Sequence, residues 1–471
     1  MITLLYVQYS ALLAQGNLHQ QSSVYEWPKD TAVSKKLEKW RDQKFGIIIH
    51  WGLYAVPGVI ESWALCSEHW IERDSTIGYD QFKQWYWGLQ DKFNPVDFDP
   101  QQWAKAAREA GMRYLIFTTK HHDGFNMFDT QETNFKITSG PFANHPRANV
   151  TKHVFDAFRN EDFMIGAYFS KPDWHSEYYW WPKYATANRN NNYDIKKYSW
   201  RWKKYKQFTH NQIKELMTGY GTIDILWLDG GWVRPLETVN DEVRSWGAEI
   251  PKWSQDIDMP AVAKMSRSTQ PGLLIVDRTV HGPYENYQTP EQQIPKEKLD
   301  YPWESCITLG NAWGYVPNDQ FKSSTKIIHT LIEITAKGGS LLLGVGPDAK
   351  GTLSESQVSR LQEVGVWLKR NGRAIYETRT VDLYQNNTTF FTKGKDLEKM
   401  YALVCLKENQ QIPKVIEWIG NVPRKGSVVT LLETGKSVRW VAEGDKVKIT
   451  TPSSLIGQNT AALAFEYETQ K

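Results

Sequence analysis

At 471 residues the chain exceeds what one ordinary hydrophobic core holds, and its length predicts two domains. A net charge of +3 over that length excludes a nucleic-acid footprint or a polybasic membrane patch. The three cysteines, Cys66, Cys306 and Cys405, are too scattered for a metal-ligand spacing or a disulfide framework and read as buried thiols.

The N-terminal segment, 1–30, opens with a short apolar run over 2–14. Its Ser10-Ala11-Leu12-Leu13-Ala14-Gln15 is similar to the end of a signal peptide, although no basic stretch precedes it. The segment is expected to be a leader remnant, which points to a periplasmic or secreted protein. No run is long enough to span a membrane.

From 31 onward, apolar runs alternate with amphipathic ones. Residues 44–51 predict a strand that ends at His50-Trp51-Gly52. Asp99-Pro100 predicts a helix start, with Trp103, Ala106, Ala107 and Ala110 on one face and Gly111 at the stop. A strand over 114–119 leads to Lys120-His121-His122-Asp123-Gly124. A helix at 152–159, a strand at 164–169 and a long helix carrying Trp202, Tyr205, Phe208, Ile213 and Leu216 come next. A strand then ends at Asp229. A helix at 261–265, a strand at 273–276 ending at Asp277-Arg278, a helix at 325–336, a strand at 341–345 and a helix at 355–369 complete the series. This alternation predicts a parallel sheet, and the count fits a (β/α)8-like barrel over 31–371, irregular between Arg278 and Thr325. After Asn371-Gly372 the pattern changes to short runs at 381–384, 401–406, 428–432, 438–441, 447–450 and 463–467. They predict an antiparallel β-sandwich over 372–471.

The chemistry-bearing residues share one kind of position. His50, His121 with His122, Tyr168 with Ser170, Asp229 and Arg278 all stand at the C-terminal ends of predicted strands, which converge on one face of a barrel. Asp229 is followed by Gly230-Gly231-Trp232. The glycines are expected to let a substrate ring come close, and the indole offers a platform for the C–H face of a sugar. Arg278 is positioned to pair with Asp229 and keep it ionised, as a nucleophile must be. A metal role for His121 and His122 is disfavoured, because neighbours on a strand point to opposite faces and no acidic spacing completes a ligand set. Hydrogen bonding to sugar hydroxyls fits them better. Trp418 and Trp440 are expected to pack the sandwich rather than bind glycan. The sequons at Asn149 and Asn387 would stay bare in a bacterial protein.

These segments also carry a resemblance. Phe45 to Gly52, Glu61-Ser62-Trp63, Lys120 to Phe125, Trp227 to Gly231, and Gly339-Ser340-Leu341-Leu342-Leu343 with Val345-Gly346-Pro347 resemble the retaining α-L-fucosidases of glycoside hydrolase family 29, of the Bacteroides type. The resemblance implies an exo-acting enzyme that removes terminal α-L-fucosyl residues from oligosaccharides or glycoconjugates through a covalent intermediate, with no cofactor. It puts Asp229 on the nucleophile and His50, Trp63, His121, His122, Tyr168, Arg278 and Trp313 on fucose-binding positions.

One departure stands out. Where the relatives carry a Tyr-Glu-Thr-Pro segment with the acid/base glutamate, this chain reads Tyr287-Gln288-Thr289-Pro290-Glu291. An amide cannot act as the acid/base. Either the chain is an acid/base-disabled variant at Gln288, or Glu291 carries the role, with Glu285 a third candidate. A disabled barrel could also serve as a fucose-binding lectin-like protein. An α-galactosidase specificity is the competing enzymatic reading.

Overall fold

An unbroken apolar run suits a strand covered on both faces. Among the described residues, seven such runs form one parallel sheet. The structure is a computed structural model that describes residues 24–469 apart from 69, 70, 72, 74, 75, 248, 396 and 397. The expected leader at 2–14 lies outside the described residues. Strands β1 (Phe45–Ile49), β2 (Tyr114–Lys120), β3 (Met164–Ser170), β4 (Ile225–Asp229), β5 (Leu274–Asp277), β6 (Glu304–Thr308) and β7 (Ser340–Val345) lie in the order β5-β4-β3-β2-β1-β7-β6. Alternate residues divide the labour. Ile48, Ile116, Tyr168, Trp227, Val276 and Leu342 turn into the barrel interior. Ile47, Phe117, Phe169, Leu228, Ile275 and Leu343 pack outward against the helices.

Helix α1 (Thr31–Gln43) plugs the closed end of the barrel. Val33, Leu37 and Trp40 share one helical face and join the interior cluster, with Trp40 stacked on Tyr287 at 3.9 Å. The remaining helices are α2 (Tyr79–Trp87), α3 (Pro100–Glu109), α4 (Val150–Asn160), α5 (Ser199–Gly219), α6 (Asp241–Ser245), α7 (Met259–Thr269), α8 (Ser324–Ala336) and α9 (Glu355–Asn371). At α3 the Asp99 side chain accepts from Gln101 N at 3.3 Å with Pro100 in the first turn, as the sequence predicts.

Between β5 and β6 the eighth strand position is held by residues 285–292, the quarter expected to be irregular. They pair through isolated bridges, Val276 with Glu285, Gln288 with Trp303 and Glu291 with Cys306. Asn286 N donates to Ile275 O at 2.9 Å on one side, and Glu304 N donates to Gln288 O at 2.8 Å on the other. Pro290 has no N–H to contribute, which helps to break the ladder. The barrel is therefore (β/α)8-like, with its sheet completed by an irregular segment.

Beyond α9 the strands are antiparallel. One sheet contains β8 (Thr378–Arg379), β9 (Gln385–Asn386), β10 (Thr389–Gly394), β11 (Lys399–Cys405), β13 (Val429–Leu431), β14 (Lys436–Val438) and β17 (Ala462–Glu468). The other contains β12 (Val415–Ile419), β15 (Trp440–Glu443) and β16 (Lys446–Thr450). Met400, Phe391, Ile416, Trp418, Val447 and Phe465 fill the space between the sheets. Phe390, Tyr401, Leu403 and Ala464, on the opposite face of the larger sheet, pack against the barrel cluster. Neither β10 nor β12 is among the runs expected from the sequence. Phe390 and Phe391 of β10 are both covered, so that strand lacks the polar alternation of a one-sided sheet. The strand expected at 381–384 is instead a bend between β8 and β9. Trp418 packs near Phe465 and Tyr467, with ring centroids 5.5 and 5.9 Å away, and Trp440 Nε1 donates to Ser427 O at 3.0 Å, so both tryptophans pack the sandwich. All three thiols are free. Cys66 and Cys306 are buried, whereas Cys405 is half-buried rather than fully covered as expected.

Candidate active site

The C-terminal ends of β1 to β5 open onto a cleft with about 460 Å³ of atom-free space. His50, Trp63, His121, His122, Tyr168, Asp229, Arg278, Glu291 and Trp313, all expected from the sequence, line it together. Glu61, Trp227 and Trp232 complete the wall.

Asp229 is the last residue of β4 and the best-supported anion in the cleft. Its Oδ2 accepts from Tyr168 OH at 2.7 Å, while Oδ1 accepts from Arg278 Nη1 at 2.9 Å and from Gly230 N at 2.8 Å. Arg278, one residue past β5, also donates from Nη2 to Glu291 Oε2 at 2.9 Å and from Nε to Thr289 Oγ1 at 2.9 Å. One guanidinium thus holds two carboxylates side by side. Burial alone would lower its pKa, but the neighbouring Asp229, Cys306 and Glu291 outweigh that and raise it, so it stays a cation. Glu291 Oε1 accepts from Trp313 Nε1 at 3.1 Å.

Around this charged centre the imidazoles are neutral. Burial holds His121 down to about 4, and it holds His50 and His122 well below their ordinary value, helped by neighbouring His121 in both cases. His121 Nδ1 is engaged by Ser62 Oγ, and His122 Nδ1 lies 2.8 Å from Ser170 Oγ. Each ring is therefore fixed by a hydroxyl. His50 Nδ1 has no hydrogen-bond partner among the described residues. Glu61 is a second kind of carboxyl. Burial raises it to about 7, against the N–H groups of Gly314 and Trp313, which each donate to its Oε1 at 2.8 Å.

Three expectations need correction. Gln288 does not line the cleft. On the segment 285–292, Tyr287 joins the barrel interior, and Thr289 and Glu291 bond Arg278. Gln288 falls on the opposite parity, and its Nε2 donates to Val24 O at 2.9 Å. The amide at 288 therefore gives no ground for a disabled enzyme or for a lectin-like barrel. The glycines after Asp229 serve the turn rather than substrate access. Gly230 has φ +90, and a Cβ there would stand 2.3 Å from Pro172 Cδ; one on Gly231 would stand 2.0 Å from Thr279 Oγ1. Finally, His121 and His122 face the same cleft, with ring centroids 4.3 Å apart, because β2 has already ended at Lys120 and strand alternation no longer applies. Among the described residues no group of three or more His, Cys, Asp or Glu is arranged to hold a metal ion.

Glu61, Trp227 and Trp232 belong to motifs quoted above, yet only the indole at 232 was read as a sugar platform. Glu61 precedes a short 3-10 turn (Ser62–Leu65), and Trp227 sits mid-strand, so neither occupies a strand end that would flag it.

The family model for alpha-L-fucosidases matches residues 12–373. The chain belongs to that family. It is a glycoside hydrolase with α-L-fucosidase function. It is 25% identical over 453 residues to the human plasma alpha-L-fucosidase, covering 90% of this chain and 88% of that one. To the Dictyostelium discoideum alpha-L-fucosidase it is 24% identical over 452 residues, with 89% of each chain covered. Among solved structures it is similar to alpha-L-fucosidase isoenzyme 1 from Paenibacillus thiaminolyticus, with a TM-score of 0.74 and 28% identity. That match covers 94% of this chain and all (100%) of that one. A family 29 alpha-L-fucosidase from Bacteroides thetaiotaomicron, solved as a trapped covalent intermediate with 2-fluoro-fucosyl fluoride, shares the fold, with a TM-score of 0.70 and 22% identity. It is covered over 99% of its length and 96% of this chain. No described helix is long and apolar enough to cross a membrane.

Proposed function

We propose that this fucosidase removes terminal α-L-fucosyl residues with retention of configuration, with Asp229 as nucleophile and Glu291 as acid/base. The observation that carries the assignment is the shared guanidinium: Arg278 donates at 2.9 Å to each of the two carboxylates. Retention calls for two carboxyls roughly 5 Å apart, and carboxyls seated on neighbouring nitrogens of one planar fork suit that need. Asp229, ionised, attacks the anomeric carbon, while Glu291, which must enter this step protonated, gives its proton to the departing oxygen and is left as the carboxylate. Glu291 then takes a proton from the water that releases fucose.

The neutral rings of His50, His121 and His122 bind sugar hydroxyls without adding charge near Arg278. Trp313, Trp63 and Trp232 form apolar walls for the C–H faces of a single sugar, which supports exo action on fucosylated oligosaccharides and glycoconjugates. The leader-like sequence at 2–14 supports secretion or a periplasmic location in a bacterial source. The experiment is mass spectrometry of the chain after a 2-fluoro-fucosyl reagent. The added mass is expected on the peptide containing Asp229, and Asp229→Asn should take up none. Label on any other carboxylate would overturn the assignment.

A further inference from the structure

One buried carboxyl below the cleft has no part in that scheme. Glu304 opens β6 and is wholly shielded from solvent. Its side chain crosses the barrel interior, where Oε2 accepts from Tyr114 OH at 2.8 Å and Oε1 accepts from Trp227 Nε1 at 3.1 Å. Burial raises the carboxyl to about 7, with the hydrogen bonds from Tyr114 and Trp227 and the charge of Arg278 acting in the other direction.

Trp227 joins this carboxyl to the reaction centre. Its ring lines the cleft, and Arg278 Cζ lies over it, 4.2 Å from the centroid. An indole has a single polar handle. Holding that N–H fixes the ring in its plane, and an acceptor on it makes the π-face more attractive to a cation. The chain of contact runs from Glu304 to Trp227 to Arg278, and from there to Asp229 and Glu291.

We propose that Glu304 is a positioning residue for the fucosidase reaction, fixing the Arg278 guanidinium between the two carboxylates through the Trp227 indole. The inference rests on the Asp229–Glu291 assignment above. A merely structural Glu304 would fill the barrel and satisfy Tyr114 but leave turnover of the folded enzyme unchanged.

The test is a double-mutant cycle on kcat and KM for an aryl α-L-fucoside, using Glu304→Met, Trp227→Phe and the double variant. Glu304→Met removes the acceptor for the indole N–H; Trp227→Phe keeps a ring beneath Arg278 but removes the N–H. Misplacing groups at a reaction centre costs on the order of tenfold to a hundredfold in rate. Glu304→Met is therefore expected to lower kcat at least tenfold with KM changed less than twofold, and to lower it no further in the Trp227→Phe background. Glu304→Gln should recover most of the loss, because the amide oxygen can accept from the indole while the amide nitrogen donates to Tyr114. Multiplying effects in the double variant, or a lower melting temperature with unchanged kcat in Glu304→Met, would overturn the proposal. If Glu304→Met does not fold, Trp227→Phe against Tyr114→Phe carries the test. The first must lower kcat and the second, which takes the Tyr114 hydroxyl from Glu304 and Leu341 O but leaves the indole bond intact, must leave it within twofold; equal losses would sink the idea. The fluoro-sugar label separately reports whether Asp229 is attacked, so failure of the reaction scheme is distinguishable from failure of the coupling.

Discussion

Removing the Glu291 carboxyl puts the parity of segment 285–292 to the test. Glu291→Ala deletes the proposed proton donor together with two hydrogen bonds, from Arg278 at 2.9 Å and Trp313 at 3.1 Å. General acid catalysis contributes about 10² to 10⁴ in rate. That corresponds to about 2.7 to 5.4 kcal/mol of barrier. The loss should be full for natural glycosidic linkages and should shrink for aryl fucosides whose leaving groups need no proton. With those substrates azide should accelerate the second step by replacing the water that Glu291 no longer activates. Position 288 should behave differently. Gln288→Ala removes one bond to Val24 O, at 2.9 Å, worth about 1 kcal/mol of stability, and should leave turnover within about twofold. Gln288→Glu turns a carboxylate toward that carbonyl oxygen and should give no gain. The assay is kcat/KM across a series of leaving groups for the three variants. If Gln288→Glu raises turnover of poor substrates, or Glu291→Ala leaves them untouched, the parity argument fails.

Arg278→Leu leaves Asp229 and Glu291 as neighbouring anions without their shared cation, so one of them should retain a proton to higher pH. The acid limb of the kcat/KM profile should rise by about a unit or more, alongside a large fall in rate. His121 is held at about 4 when folded and returns to its ordinary value of 6.5 when unfolded. Between those values the unfolded chain binds a proton that the folded chain refuses, so stability is complete above about 6.5 and is lost as pH falls toward 4. His121→Asn should therefore lose about 2 kcal/mol less than the parent between pH 7 and 5, as read from denaturant midpoints. Trp418→Ala empties the middle of the sandwich and should cost about 3 to 5 kcal/mol of stability. Turnover per folded molecule should be unchanged; a selective loss of activity would contradict the packing role.

Much of the cleft was legible because strand ends carry a compact signal: an apolar run followed at once by a polar group. His50, Asp229 and Arg278 are read that way without any contact information. The signal failed where geometry departs from a regular strand. His121 and His122 lie just beyond β2, so the opposite-face rule no longer governed them. On segment 285–292 a resemblance of local sequence put the acid/base at 288. Alternation about Tyr287 and Thr289 puts the cleft-facing carboxylate at Glu291. Glu61 and Glu304 were illegible for a related reason. Their partners, the backbone of Trp313 and Gly314 for one and Tyr114 with Trp227 for the other, are distant in sequence, and a single carboxyl in a chain carries no mark of such a meeting. Apolar runs placed six of the seven barrel strands, whereas β6 lay in the irregular quarter between Arg278 and Thr325. β10 escaped because Phe390 and Phe391 make too short an apolar run between threonines to mark a strand, and β12 was missed although its burial alternates.

The segment between β5 and β6 is tied into the barrel at a few points rather than along a continuous ladder. A continuous ladder transmits any one-residue slip to its neighbours and flips every side chain along the way. Here the fastening is by scattered bridges, so length or register can change locally while the other strands keep their alignment. The proposed nucleophile, Asp229, ends a regularly paired strand, whereas Glu291 lies on a segment held by isolated bridges. Because Thr289 and Glu291 both bond Arg278, variation in this window reaches Asp229 through that guanidinium.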